Sequence, residues 1–396
     1  MNMSMLDFHI PLDDMEVRKQ RIRNVWNYKK VDHIPVIISI YSNPWNYTIH
    51  EQYEDPQKQL AVALEGVKRS LQWVPDDYIP SIRPDVGCVV VSSTFGGELI
   101  YNKNMPNTTV GIKPIISNPE EIYKLKTPNP YKDGLMPAAL ERMRYFAKHT
   151  QGKIYLSNVD MGGPLNAACD LIESTLFYKM MLKNPEPLKY LLNMLTDLFI
   201  YYDQLLIEAA GGLENMASID WDNTWCPEGY KGYVSDDICA NIDPKSFELF
   251  SKPYNNRIYE RFGAGLLHNC GPHPCVYIYL DHKPPIKGIQ CHWDYSKKDL
   301  QKIADALAGR GIAYIMIPCD DKCWDQDFKP VTTTIDDIAP IYEEIVNIFS
   351  PKTIAIPEIR IDAARHNKEE IQNLYWKLRK ISEKYAEEME RKNMLR

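Results

Sequence analysis

The chain has no run of about 18 apolar residues, the length that a bilayer-crossing helix needs, so no membrane span is expected. It has no surplus of positive charge: 46 Lys and Arg stand against 53 Asp and Glu, and the net charge is -7. That balance argues against a general nucleic-acid or membrane-surface role, because both need a basic patch to meet phosphate. Basic clusters such as Lys377, Arg379 and Lys380 read as solvated helix faces. There is no repeat, low-complexity segment or linker to divide the chain into domains. The amino terminus carries Asp7, Asp13, Asp14 and Glu16 in place of the basic-then-apolar order of a secretory leader, and a cytoplasmic location is expected. The 9 cysteines are scattered over 396 residues, unlike the dense even set of a disulfide scaffold, which predicts reduced thiols. Phe is scarce, at 10 against 25 Tyr and 8 Trp, and a surplus of flat rings with polar edges suits either a pocket for a planar ligand or ordinary packing.

What is present alternates. Short apolar, β-branched runs occur at 34–40, 87–92, 154–158, 216–220, 265–268, 286–291, 313–318 and 353–357, separated by amphipathic stretches with helical spacing. The stretch 185–206 opens on Pro-Glu-Pro and spaces Leu191, Leu192, Leu195 and Leu198 along one face, and 368–394 does the same with Ile371, Leu374, Leu378 and Ile381. Nearly all-apolar strands are buried on both faces, as parallel barrel strands are. Eight of them predict an α/β fold, a (β/α)8 TIM barrel, over 31–396, with an amino-terminal helical extension over 1–30.

Barrel chemistry gathers at the carboxyl ends of the strands. The most informative stretch lies there: 266–271 reads LLHNCG, an apolar run opening into His-x-Cys-Gly. The two-residue period of a strand points His268 and Cys270 to one side, which is half of a zinc site with tetrahedral N and S ligands. Glu358, His292 and Cys319 are candidates for the remaining ligands, and alternation cannot choose among them. Asp160, Asp220, Asp222, Trp293 and Arg360 also fall at predicted strand ends, a collection that favours an enzyme.

Five phrases in order, VDHIPV (31–36), DMGGPL (160–165), IDWDN (219–223), IDPKSFELFSKPY (242–254) and LHNCG (267–271), resemble the uroporphyrinogen decarboxylase superfamily over nearly the whole chain. The resemblance implies the same barrel and two candidate activities. The decarboxylase branch carries an arginine-rich amino-terminal segment that grips carboxylates, whereas 34–47 (IPVIISIYSNPWNY) has no arginine. The corrinoid-dependent methyltransferase branch has His-x-Cys at the fifth strand and a cysteine near the eighth; here the eighth strand carries Glu358. An oxygen-containing ligand set makes zinc a harder Lewis acid, suited to an ether oxygen rather than a thiol.

The resemblance therefore implies an O-demethylase methyltransferase. Zinc held by His268, Cys270 and Glu358 would act on a small aromatic methyl ether, and the methyl group would pass to a corrinoid (cobalamin) carried by a partner protein. A separate carrier is implied because the chain lacks an Asp-x-His-x-x-Gly cobalamin signature. Asp220 or His292 would act as general acid or orient the ring, which Tyr41, Trp45, Trp221 and Trp293 would sandwich beside Asp160 and Asp222. A methylamine, methanol or methylthiol donor, a decarboxylase, a non-catalytic tetrapyrrole-binding barrel and a homodimer stay open as alternatives.

Overall fold

Six parallel strands pair edge to edge around most of a ring in a computed structural model that describes residues 7–101 and 109–396. They are β1 (Ile37–Tyr41), β4 (Gly232–Ser235), β5 (Ala264–His268), β6 (Gly288–His292), β7 (Ile312–Pro318) and β8 (Ile354–Asp362), in the order β1-β8-β7-β6-β5-β4. The remaining arc is thinner. Two short strands, β2 (Ser81–Ile82) and β3 (Tyr155–Leu156), pair in parallel, Leu156 bridges to Met216, and Ile219 N–H donates to Lys231 O at the edge of β4. The fold is the α/β, TIM-barrel type.

Between β1 and β2 no strand-to-strand ladder forms, and buried backbone donors must find partners elsewhere. Side chains supply them: Asp76 accepts from Ile38 N–H at 2.6 Å, Asp77 from Val36 N–H at 3.0 Å and Ser70 from Ile40 N–H at 2.9 Å. This substitution leaves the wall open enough for a cavity beside β1.

β7 (IAYIMIP) is buried along all of its length, as the apolar run predicts. Each fully buried Ile contributes about 1.5–3 kcal/mol over an exposed one. Helices α2 (Pro56–Trp73), α3 (Pro185–Ala209), α4 (Lys252–Phe262) and α5 (Lys368–Arg391) each begin with proline or an asparagine cap, which spares an orphan N–H or satisfies one. The amino-terminal helix, α1 (Leu12–Trp26), turns its buried side, including Trp26, to the barrel, and Trp26 Nε1 donates to the Tyr314 hydroxyl at 2.9 Å. Residues 1–6 of the expected extension lie outside the described residues. Among the described residues no helix is long and apolar enough to cross a membrane, and all nine cysteines are free.

Two predicted strands are displaced. Residues 90–93 form a helical turn and the second strand is Ser81–Ile82; the fourth named strand is Gly232–Ser235, with 216–220 contributing only a bridge. A short apolar run such as Val89, Val90, Val91 has no period that separates a buried turn from a buried strand. Gly163 of DMGGPL has a packing reason: a Cβ there would sit 2.4 Å from Ser235 O.

Candidate active site

His268 is the last residue of β5, and the strand period carries Cys270 to its side, with Nε2 3.2 Å from Sγ. Asp237, in the turn after β4, places Oδ1 3.6 Å from the same nitrogen and accepts the Cys270 backbone N–H at 3.1 Å. The three donor atoms all lie within 4.8 Å of one another. A tetrahedral zinc ion holds neighbouring N, S and O ligands roughly 3.4–3.6 Å apart, so the spacing fits that ion. Burial, and after it the Asp237 carboxylate, push the Cys270 thiol up, so an incoming cation must displace its proton.

The far edge of the imidazole is anchored. His268 Nδ1 lies 2.6 Å from Gln290 Oε1, an atom that only accepts, which assigns the proton to Nδ1 and turns the Nε2 lone pair toward Cys270 and Asp237. Gln290, fully buried, also accepts the Tyr233 hydroxyl at 2.6 Å and donates to Glu358 Oε2 at 3.1 Å. Glu358, expected as a metal ligand, therefore reaches His268 only through Gln290. The carboxylate brought to His268 and Cys270 is Asp237.

Next to this set opens a cavity of about 380 Å³ on the β1–β2 side. Tyr41, Trp221, Asp222 and Glu358 line it, as do Tyr53, Arg83, Thr224 and Arg360. Trp221 divides the two regions, its ring 5.2 Å edge-on from the His268 ring. Arg83 and Arg360 lie 5.5 and 5.7 Å from the Trp221 ring, each paired with a carboxylate: Arg83 with Asp85 at 3.0 Å, Arg360 with Asp222. Arg83 Nη1 is buried without a partner.

The acids are driven apart by their surroundings. Asp222 suffers burial, yet Arg360 and the Thr224 hydroxyl hold its carboxyl below the usual range. Burial, then the neighbouring Asp160, push Asp220 well above that range, and its Oδ2 is buried without a partner. Burial likewise raises Asp160 to about 7. Burial and the Asp222 charge push Glu358 upward. Neighbouring carboxyls held in opposite protonation states are an arrangement acid–base chemistry uses.

Other expected residues fall elsewhere. Trp45 is 47 % exposed and stacks on Tyr47 at 5.8 Å, away from the cavity. Trp293 is buried under Lys297. His292 uses Nδ1 to accept the Asp294 N–H at 3.2 Å, and burial lowers it to about 4, which keeps the ring neutral. Cys319 and Cys323, four positions apart, separate: Cys323 joins His292 and Asp294, and Cys319 joins Asp320 and His366.

Sequence reasoning missed Asp237, Arg83 and Gln290. Asp237 follows the strand at 232–235, so locating that strand at 216–220 hid it. Arg83 follows the displaced second strand. Gln290 was visible in the sixth strand, but a neutral amide carries no signal of its own.

A family model described as uroporphyrinogen decarboxylase (URO-D) matches residues 17–313. No curated protein matches the chain. Among solved structures it is similar to a methyltransferase from Methanosarcina mazei, with a TM-score of 0.64 and 18 % identity, over 92 % of this chain and 98 % of that one. At that identity the likeness is one of fold.

Proposed function

We propose that this chain, which belongs to the uroporphyrinogen decarboxylase family, is a zinc-assisted methyltransferase that moves a methyl group from a methoxylated aromatic to the Co(I) corrinoid of a partner protein. The observation that carries the reading is the His268, Cys270 and Asp237 set, separated only by the Trp221 ring from an aromatic-lined cavity. The Methanosarcina mazei protein of similar fold is a methyltransferase, which supports the same reaction class.

The ligand set mixes nitrogen, sulfur and one carboxylate oxygen, which suits zinc with an open position. Zinc held there supplies Lewis acidity toward the oxygen that leaves as phenolate. The chain's own residues do the rest. Trp221 and Tyr41 give the donor ring a flat apolar seat. Asp220, kept protonated by burial, holds a proton at Oδ2 for the leaving oxygen, and Asp222 stays ionised against Arg360. His292, neutral and fixed through Nδ1, orients rather than protonates. Gln290 holds the His268 ring in register.

Arg83 and Arg360 give some support to a second reading, a metal-free decarboxylase acting on a carboxylated substrate, because they provide the guanidinium groups absent from 34–47. Both are already paired with Asp85 and Asp222, and Glu358 lies in the same cavity. A ligand bearing many carboxylates would face those charges. The cavity is also at the small end for ligand sites, as a single-ring donor requires.

Metal analysis by mass spectrometry separates the readings. The unaltered chain is expected to lose about one zinc equivalent in each of His268→Ala, Cys270→Ala and Asp237→Ala. Equal metal content in all four proteins would return the decarboxylase to first place.

A further inference from the structure

A second set of N, S and O donors sits at the same rim, two strands away from His268 in sheet order and outside the aromatic cavity. Cys319 directly follows β7, Asp320 is next to it, and His366 lies in the turn between β8 and α5. The Cys319 Sγ is 3.7 Å from His366 Nε2 and 3.5 Å from Asp320 Oδ2, and Asp320 contacts His366 Nε2 directly. A tetrahedral zinc ion separates its sulfur and nitrogen ligands by roughly 3.6 Å. The three side chains are largely sheltered, Cys319 being 3 % exposed.

An observation outside the set bears on its use. The other nitrogen of His366, Nδ1, has Glu370 Oε2 3.7 Å away in the first turn of α5, an oxygen that also accepts the Asn367 N–H at 2.9 Å. A carboxylate behind the second nitrogen of an imidazole is the arrangement that orients and strengthens a metal-binding histidine. In the third rim set, His292, Asp294 and Cys323, the His292 Nδ1 accepts the Asp294 N–H at 3.2 Å, and the carboxylate 3.7 Å from that nitrogen is Asp294 itself, a member of the set rather than a group behind it.

We propose that Cys319, Asp320 and His366, backed by Glu370, form a second zinc site that clasps the loop leaving β7 to the turn before α5. A thiolate in the set selects a transition metal over magnesium or calcium. Binding is an exchange: the thiol proton of Cys319 leaves, and three donor bonds to the ion replace the contacts that Cys319, Asp320 and His366 make with one another. The clasp reinforces contacts already joining the two segments, Cys319 N–H to Arg360 O at 2.8 Å and Arg365 to Asp320 O. No step of methyl transfer is assigned to it, and it stands whether or not that reaction is correct.

The test is a titration of metal-free protein with zinc alone, followed by cobalt(II) as a coloured substitute. The unaltered chain is expected to take up about two equivalents, and the His268→Ala/Cys270→Ala chain about one. The cobalt form of the latter should show a thiolate-to-metal charge-transfer band that disappears when Cys319→Ser is added. His366→Gln should also lose one equivalent, with its circular dichroism unchanged. A His268→Ala/Cys270→Ala chain that folds yet binds no zinc would overturn the proposal, and so would a retained band after Cys319→Ser. Loss of the first site's equivalent alone leaves the second count intact, so failure of either site is read separately.

Discussion

Gln290→Leu tests whether the His268 ring is held for metal binding. Gln290 is fully buried and satisfies three groups at once: His268 Nδ1, the Tyr233 hydroxyl and Glu358. Leucine fills a similar volume and satisfies none of them. Each buried polar group left without a partner costs about 1–3 kcal/mol, so the variant should lose about 3 kcal/mol or more of stability. The effect on metal is separable. Removing the partner behind a metal-binding imidazole typically weakens binding about 10–100-fold, which at about 1.36 kcal/mol per tenfold is about 1.4–2.8 kcal/mol.

Gln290→Glu is the control. It keeps an acceptor for His268 and Tyr233, so zinc binding should be retained, whereas its stability should fall as pH rises, because a second carboxylate then ionises against Glu358. Competition against a chromogenic chelator reads affinity, and urea unfolding reads stability. A Gln290→Leu protein that folds and holds zinc within twofold of the unaltered chain would refute the reasoning.

Three further outcomes follow from the site. Arg360→Met removes the counter-charge of buried Asp222; with the guanidinium 39 % exposed, the loss should fall near the low end of the range for breaking a buried pair, about 3 kcal/mol, measured by chemical unfolding. Asp220→Asn should abolish most activity yet stabilise the protein at high pH. A carboxyl with a raised native pKa contributes its stability fully below its ordinary value of 3.8 and loses it as pH rises through the native value, so the gain from Asn should be present at pH about 8 and absent near pH about 4, read as a difference in unfolding midpoints. Trp221→Leu should raise KM for aromatic donors while leaving bound zinc unchanged by mass spectrometry, because the ring touches the cavity and the edge of His268 but offers no ligand atom.

Much of the barrel was legible because its later strands are nearly all apolar and can only be buried on both faces; β5 to β8 lie where those runs predict. The early arc was not legible for a physical reason. Ser81–Ile82 is two residues long between prolines, and its neighbour β1 is satisfied by Asp76, Asp77 and Ser70 side chains, which no hydrophobic period encodes. The pairing of His268 with Cys270 follows from strand alternation alone. Their carboxylate did not, because Asp237 follows the adjacent strand and its position depends on register, a property of the assembled sheet. Glu358 lay at an expected strand end, and only the position of Gln290 explains why it meets an amide rather than the imidazole.

The central claim is methyl transfer, and one anaerobic assay addresses it directly. The zinc-loaded protein is mixed with cob(I)alamin and a panel of methoxylated benzenes, and visible absorbance and phenol release are followed together. The account predicts that Co(I) absorbance is lost in step with the appearance of methylcobalamin and an equal amount of phenol, and that His268→Ala and Cys270→Ala show neither. Turnover undiminished in those two variants would contradict the account, as would a zinc-loaded protein that releases carbon dioxide from a carboxylated substrate and leaves Co(I) unchanged with every ether.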